Sequence, residues 1–136
     1  MVHNMNAHIV LTPKYRRKVI TDRVRDLLVA TTRDVCERWD VTLVAADGTD
    51  DHLHLLVAYP PKIAISELVG AVKTATSKAV RTKHWPEVTR ALWGSHFWSP
   101  SYLVVSTGGA PLAVVKTYVE NQRREPKRPG RPSDTG

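Results

Sequence analysis

Short segments in which apolar residues run together or alternate with polar ones predict four β-strands. These segments are residues 7–12, 41–45, 52–58 and 97–107. Pro13 and Pro60-Pro61 end the first and third of them, and Pro100 divides the last into one strand or two short ones. Asp47-Gly48 predicts a tight turn that joins the second and third strands as an antiparallel hairpin.

Three longer segments carry apolar residues at the three- and four-residue spacing of amphipathic helices. The predicted helices cover residues 22–38, 66–83 and 110–124. Thr21 and Ser66 are suited to cap the first two helices, and Pro111 suits the first turn of the third. Pro86 and Gly94 predict an irregular connection between the second helix and the last strand.

The elements follow the order strand, helix, strand, strand, helix, strand, helix. This order favours an α+β fold with a ferredoxin-like antiparallel sheet and helices packed on it. We expect one catalytic domain over residues 1–124 and a flexible, basic, Pro-rich tail over residues 125–136.

Composition excludes several classes of protein. The chain has 136 residues, of which 42% are hydrophobic and 24% charged, as in ordinary globular domains rather than disordered chains. Cys36 is the single cysteine, so an intrachain disulfide and a cysteine-rich zinc module are excluded. No apolar run approaches the roughly 20 residues of a membrane span, and the N-terminus lacks a signal-peptide pattern. We therefore expect a cytoplasmic protein without a membrane partner.

The charge balance favours a polyanionic partner. Lys and Arg number 20 against 13 Asp and Glu, a formal net charge of +7. Basic side chains that contact phosphates release condensed counterions, which favours nucleic-acid binding. A basic surface that serves solubility alone is the alternative at this point.

The segment His52-Leu53-His54 can carry chemistry because alternate residues of a strand share a face. His52 and His54 would point away from the core, while Leu53 and Leu55 would point into it. Two neighbouring imidazoles can bind one cation. The alternative is a pair of surface histidines without a ligand.

Tyr118 and Gln122 are four residues apart on the last predicted helix and therefore lie on one helical face. The amide oxygen of Gln122 is a candidate third ligand, since two histidines do not complete a metal site. A tyrosine hydroxyl, with a free pKa of about 10, is a weak nucleophile that a nearby cation would activate. Its attack on a phosphodiester would give a phosphotyrosine and a free hydroxyl. An ordinary amphipathic helix remains the alternative.

Together these motifs resemble those of a known enzyme family. The matching segments are Asp51 to Val57, Leu92 to Gly94, Phe97 to Tyr102 and Tyr118 to Gln122, with Pro13 to Arg17, Lys73 and Ser77 in support. The chain resembles the TnpA-type transposases of small bacterial and archaeal insertion sequences. These are single-tyrosine enzymes with a histidine–hydrophobic–histidine (HUH) motif, related to the REP-associated tyrosine transposases. The resemblance covers about residues 6–124.

The resemblance implies a DNA transposase that cleaves and rejoins single-stranded DNA at hairpin-containing ends of a mobile element. It implies a 5′-phosphotyrosine intermediate on Tyr118 and a divalent metal, Mg or Mn, bound by His52, His54 and Gln122. It also implies a homodimer in which the tyrosine helix of one subunit can complete the site of the other. Gly108-Gly109 would then be a hinge, although a simple tight turn suits the pair equally. Ser99-Pro100-Ser101 departs from the family pattern, which has a glycine-containing turn there.

Several further residues are candidate DNA contacts, as phosphate-binding cations or as aromatic platforms for unpaired bases. They are Arg16, Arg17, Lys73, Lys78, Arg81, Trp98 and Tyr102. For each cation the alternative is a solvated surface charge, and for each aromatic residue it is core packing.

Two rival functions share much of this sequence evidence. A domesticated HUH nuclease would act on repeated chromosomal hairpins with the same fold and chemistry. A non-catalytic module would bind single-stranded nucleic acid on a similar small sheet, and neither metal nor histidine would matter to its binding.

Overall fold

A computed structural model of the chain describes residues 5–92 and 96–106. Its strands are β1 (Met5–Pro13), β2 (Thr42–Thr49), β3 (His52–Tyr59) and β4 (Trp98–Ser106). Its α-helices are α1 (Asp22–Arg38), α2 (Ile65–Lys83) and α3 (Pro86–Leu92), and a 3₁₀ turn covers Lys14–Arg16.

The strands form one antiparallel sheet in the order β2-β3-β1-β4. The central pair, β3 and β1, comes from segments separated by α1 and β2, as in a ferredoxin-like fold. The prediction of a single α+β domain with an antiparallel sheet is therefore confirmed for the described residues. None of the helices in the described part of the chain is long and apolar enough to cross a membrane.

Helices α1 and α2 cover one face of the sheet with their apolar stripes. Val24, Leu28 and Val35 of α1 are fully buried in the same core as Leu68 and Val80 of α2. Alternate residues of the two central strands enter this core because strand side chains alternate between faces. The sheet thereby presents its other face to the chemistry discussed below.

The start of α1 is as the sequence predicts. The hydroxyl of Thr21 accepts a hydrogen bond from the amide of Val24, which satisfies one of the free donors of the first turn. Glu87 of α3 accepts two hydrogen bonds of 2.8 Å from Arg23 and one of 2.9 Å from the hydroxyl of Thr21. These contacts tie α3 to the N-terminus of α1.

The turn between β2 and β3 lies later than predicted. Strand β2 continues through Asp47-Gly48, and Thr49 pairs with His52, so the reversal occurs at residues 50–51. A Cβ at Gly48 would lie 2.5 Å from the carbonyl oxygen of His52. The glycine therefore serves the close approach of two strands rather than a turn.

Three details predicted around α2 differ from the structure. The helix begins one residue earlier than predicted, and its N-cap is Ala64, which makes no side-chain cap; Ser66 lies inside the first turn. The connection predicted to be irregular contains α3, which starts at Pro86 because proline suits the first turn of a helix.

Strand β4 continues through Pro100, so the single-strand alternative is confirmed. The pairing of β4 with β1 shifts around the proline: Leu11 pairs with Tyr102, whereas Pro13 pairs with Trp98. Pro100 lies in this irregularity, where its missing N–H removes no ladder bond.

The helix predicted over residues 110–124, the Gly108-Gly109 pair and the tail over residues 125–136 lie outside the described residues.

Candidate functional site

His52 and His54 project from β3 on the face opposite the helices. Leu53 and Leu55, which alternate with them, are at most 1% exposed in the core. The two imidazole rings are neighbours, with centroids 5.8 Å apart and planes tilted by 37°. The face predicted for the histidine pair is therefore the face that the structure gives it.

Asp51 orients His52. Its Oδ1 lies 2.5 Å from Nδ1 of the imidazole and also accepts a hydrogen bond from the hydroxyl of Thr49 at 3.1 Å. Partial burial alone would raise the pKa of Asp51, but His52, Thr49 and Arg16 together outweigh it and lower the pKa. An ionised Asp51 accepts the Nδ1 proton of His52, which makes Nε2 the lone-pair nitrogen of that ring.

His54 has a comparable neighbour on β1. Its Nδ1 lies 3.4 Å from Nε2 of His8, and the two rings stack with centroids 5.6 Å apart and planes 17° apart. His8 is 2% exposed, and burial lowers its pKa. The neighbour of His54 is therefore a neutral imidazole rather than a carboxylate.

Arg16 approaches the second nitrogen of His52. Its guanidinium Nη2 lies 3.4 Å from Nε2 of His52 and 3.4 Å from Oδ2 of Asp51. The side chain is 43% exposed, so it can leave without unpacking the core. Arg16 and a cation would compete for the same side of the His52 ring.

A cleft of about 540 Å³ opens beside His52, between the 3₁₀ turn and β4. Tyr15 lines it and is 67% exposed, with the charged groups of Lys14 and Arg17 at 5.6 and 5.7 Å from its ring centroid. Tyr15 and Arg16 both have positive φ, at 61° and 52°, a conformation that costs about 1–2 kcal/mol for each L-residue. The chain thus holds an aromatic ring and a guanidinium at the edge of the histidine pair.

Lys73, a predicted phosphate contact, is engaged with the protein. Its ammonium donates to the carbonyl oxygens of Ser99 and Pro100 at 2.7 and 3.3 Å, and lies 5.3 Å from the ring centroid of Tyr102. Burial lowers the pKa of Lys73. Its observed role is to secure the irregular start of β4 against α2.

A second, larger groove of about 870 Å³ runs along α2. Basic side chains line it on several sides: Lys14, Lys73, Lys78, Arg81, His84 and His96. Lys14, Ser99 and Pro100 line both this groove and the cleft beside His52, so the two are adjacent.

Trp98 packs in the core. It is 5% exposed, its ring meets Phe97 edge-on at 4.7 Å, and its Nε1 donates to the hydroxyl of Thr76 at 2.8 Å. This burial favours the packing alternative for Trp98 over base stacking. Tyr102, in contrast, is 39% exposed at the sheet edge.

Not every predicted site residue can be placed. Tyr118 and Gln122 lie outside the described residues, and within residues 5–92 and 96–106 no group of three His, Cys, Asp or Glu side chains could hold a metal ion. Sequence patterns alone indicate no role for His8 or Asp51. His8 could have been found from strand parity, because it alternates with Ala7 and Ile9 as His52 and His54 alternate with leucines.

Comparisons with known proteins agree on one family. The family model for IS200-like transposases matches residues 1–122. The ISDra2 transposase TnpA of Deinococcus radiodurans is 29% identical over 121 residues, covering 89% of this chain and 86% of the relative. The transposase for insertion sequence element IS200 of Salmonella typhimurium is 30% identical over 124 residues, covering 91% and 80% of the two chains.

Two solved structures share the fold of this chain. The crystal structure of a Deinococcus radiodurans R1 protein assigned as a transposase has a TM-score of 0.69 at 31% identity, covering 90% of this chain and 93% of the other. A REP-associated tyrosine transposase bound to a REP hairpin shares the fold, with a TM-score of 0.56 at 14% identity and coverages of 85% and 61%. With a family model over nearly all of the sequence and relatives of similar length, the chain belongs to the IS200-like transposase family.

Proposed function

We propose that this transposase cleaves and rejoins single-stranded DNA at hairpin-containing element ends through a 5′-phosphotyrosine on Tyr118. The observation that carries the proposal is the histidine pair on the face of the sheet opposite α1 and α2, with Nδ1 of each ring directed at a neighbour. Histidines that bind metals characteristically donate their other ring N–H in this way.

The residues present fit a divalent cation. His52 and His54 would offer Nε2 as donor atoms, and Gln122 would add its amide oxygen, a donor set that Mn²⁺ and other first-row cations accept. When bound, Mg²⁺ or Mn²⁺ would supply charge stabilisation to a phosphodiester. Asp51 would hold the ring of His52 in place, and Arg16 would have to leave Nε2 of that ring.

Tyr118 would supply the nucleophile. Its hydroxyl oxygen would form a bond to phosphorus as the bond from phosphorus to the 3′ oxygen breaks. The tyrosine would lose its proton and the departing strand would gain one, leaving a free 3′-hydroxyl. Attack by a 3′-hydroxyl on the phosphotyrosine would reverse these bond changes, so rejoining would need no nucleotide cofactor.

Charge and shape support single-stranded DNA as the substrate. The cleft beside His52 combines exposed aromatic rings, Tyr15 and Tyr102, with the cation of Arg16. Bases stack on such rings while cations contact the phosphates. The adjacent basic groove could take the flanking duplex, with Lys78 and Arg81 as phosphate contacts.

We further propose a homodimer in which Tyr118 of one subunit meets the histidine pair of the other. Small-angle scattering would report the size of the assembly. Mixing Tyr118→Phe protein with His52→Ala protein would test the exchange, because activity returns in mixed dimers only if the site forms between subunits.

The central experiment is adduct formation. Wild-type protein, a labelled hairpin oligonucleotide and Mn²⁺ should give a covalent protein–DNA band that EDTA prevents. Tyr118→Phe should abolish the band, whereas the matched control Tyr102→Phe should retain it. Persistence of the band in Tyr118→Phe protein would refute the assignment of the nucleophile. Tight DNA binding without any band under all conditions would favour the non-catalytic module.

A further inference from the structure

His8 lies beside the histidine pair and has no role in the function proposed above. It faces the same side of the sheet as His54, because β1 pairs with β3 so that Val10 is opposite His54 and His8 is two residues away. The two rings are nearly parallel, and Nε2 of His8 lies 3.4 Å from Nδ1 of His54.

A neutral imidazole has one N–H and one acceptor nitrogen, so the contact between the rings has two forms. If His54 donates from Nδ1, its Nε2 carries the lone pair and can take a cation. If His8 donates from Nε2, the proton of His54 lies on Nε2 and that nitrogen cannot be a ligand. The direction of one hydrogen bond therefore decides whether His54 can bind metal.

We propose that His8 is a positioning residue that accepts the Nδ1 proton of His54 and so presents Nε2 of His54 to the metal. The inference rests on the proposed metal site. His8 would orient His54 as Asp51 orients His52, but with a neutral imidazole as the acceptor in place of a carboxylate.

The packing of His8 supports this role over a purely structural one. Its side chain is 2% exposed, and among the described residues no group lies within hydrogen-bond distance of its Nδ1. A buried polar atom without a partner destabilises a fold, and an apolar side chain of similar size would avoid that cost. The imidazole is better explained by its contact with His54 than by the stability of the sheet.

The test uses three substitutions of His8 that differ in whether they provide an acceptor atom and in where that atom lies. His8→Leu removes both nitrogens, His8→Gln places an amide oxygen near the position of Nε2, and His8→Asn places one near Nδ1. Val105→Ala is the matched control, because Val105 is opposite His8 on β4. Each variant is measured in two ways: Mn²⁺ affinity by calorimetry on the full chain, and imidazole tautomers by ¹⁵N NMR on the metal-free protein.

We expect wild-type His54 to be protonated at Nδ1, and we expect His8→Leu to shift this tautomer while His52 keeps its own. Loss of such a metal-orienting contact typically weakens metal binding by about 10–100-fold. His8→Gln should restore most of the affinity, and His8→Asn should not. His8→Leu should unfold no more easily than wild type in urea.

The inference would be overturned by a Mn²⁺ affinity in His8→Leu equal to that of wild type, or by a proton on Nε2 of wild-type His54. Equal rescue by Asn and Gln would also refute it, because the position of the acceptor would then not matter. A wild-type protein that binds no Mn²⁺ would instead overturn the proposed metal site. The tautomer would still show whether His8 orients His54.

Discussion

Arg16 and the proposed cation should compete, and replacing Arg16 should therefore tighten metal binding in the absence of DNA. Its Nη2 lies 3.4 Å from Nε2 of His52, the atom that would bind the metal. A guanidinium and a divalent cation separated by roughly 5 Å repel by about 1.7 kcal/mol in a water-like dielectric. Because Arg16 is 43% exposed, it can retreat, which reduces the repulsion to about 1 kcal/mol at roughly 8 Å.

Arg16→Gln should accordingly bind Mn²⁺ about 5–20-fold more tightly than wild type, since 1.4 kcal/mol corresponds to a factor of about ten. Calorimetry without DNA measures this directly. Arg17→Gln is the matched control, because it removes an equal charge from the next residue, whose guanidinium lies against the ring of Tyr15. A general effect of net charge would appear in both variants, whereas competition for His52 would appear in Arg16→Gln alone.

The same substitution should weaken binding to a single-stranded oligonucleotide, because a candidate phosphate contact is lost. Opposite changes in metal and DNA affinity would mean that DNA draws Arg16 away from His52 and opens the ring to the cation. Unchanged or weaker Mn²⁺ binding in Arg16→Gln would refute this reasoning. It would mean that Arg16 orients His52 rather than shielding it.

Further substitutions test the frame around the site. Gly48→Ala should lower the free energy of unfolding in urea by about 1–3 kcal/mol, because the added Cβ would lie 2.5 Å from a backbone oxygen of β3; an unchanged value would mean that the strands separate easily. Glu87→Gln should lower the thermal midpoint at pH 7. Hydrogen bonds from Arg23 lower the pKa of Glu87 to about 2 from an ordinary 4.5, so this stabilisation is present above pH 4.5 and is lost as the pH falls towards 2. The difference from wild type should therefore vanish near pH 2, and a difference that persists there would exclude the ion pair as its source. Lys78→Gln should reduce the slope of log affinity for DNA against log salt by about 1, whereas Lys83→Gln, outside the groove, should leave the slope unchanged.

Residue periodicity was sufficient to predict much of the fold and the face of the histidine pair. The bounds of α1 are as predicted because an apolar stripe and a capping Thr21 agree on the same start. The faces of His52 and His54 follow from alternation with buried leucines, a pattern that tertiary contacts reinforce. Here the local signal and the packing favour the same arrangement.

Several features that sequence patterns did not reveal are decided by residues distant along the chain. Gly48 resembles a turn residue, but its place in β2 depends on the approach of β3, which the sequence does not display. Tyr15 and Arg16 adopt positive φ although neither is a glycine, so the residue types do not mark this conformation in the sequence. The contact of His8 with His54 joins residues far apart in sequence and depends on the pairing of β1 with β3. Strand pairing of this kind cannot be read from either segment alone.

The alternation of histidine and leucine along β3 has a consequence for how the gene can change. A slip of one residue in the pairing of β3 with β2, as an insertion or deletion near residues 50–51 could cause, would turn each side chain of β3 to the opposite face. Two imidazoles would then enter the apolar core while Leu53 and Leu55 met water, so the chain would lose its packing and its proposed metal ligands in one event. Length variation in this hairpin should therefore be tolerated where a longer loop, or a bulge such as the one between Leu43 and Ala45, preserves the pairing of β3.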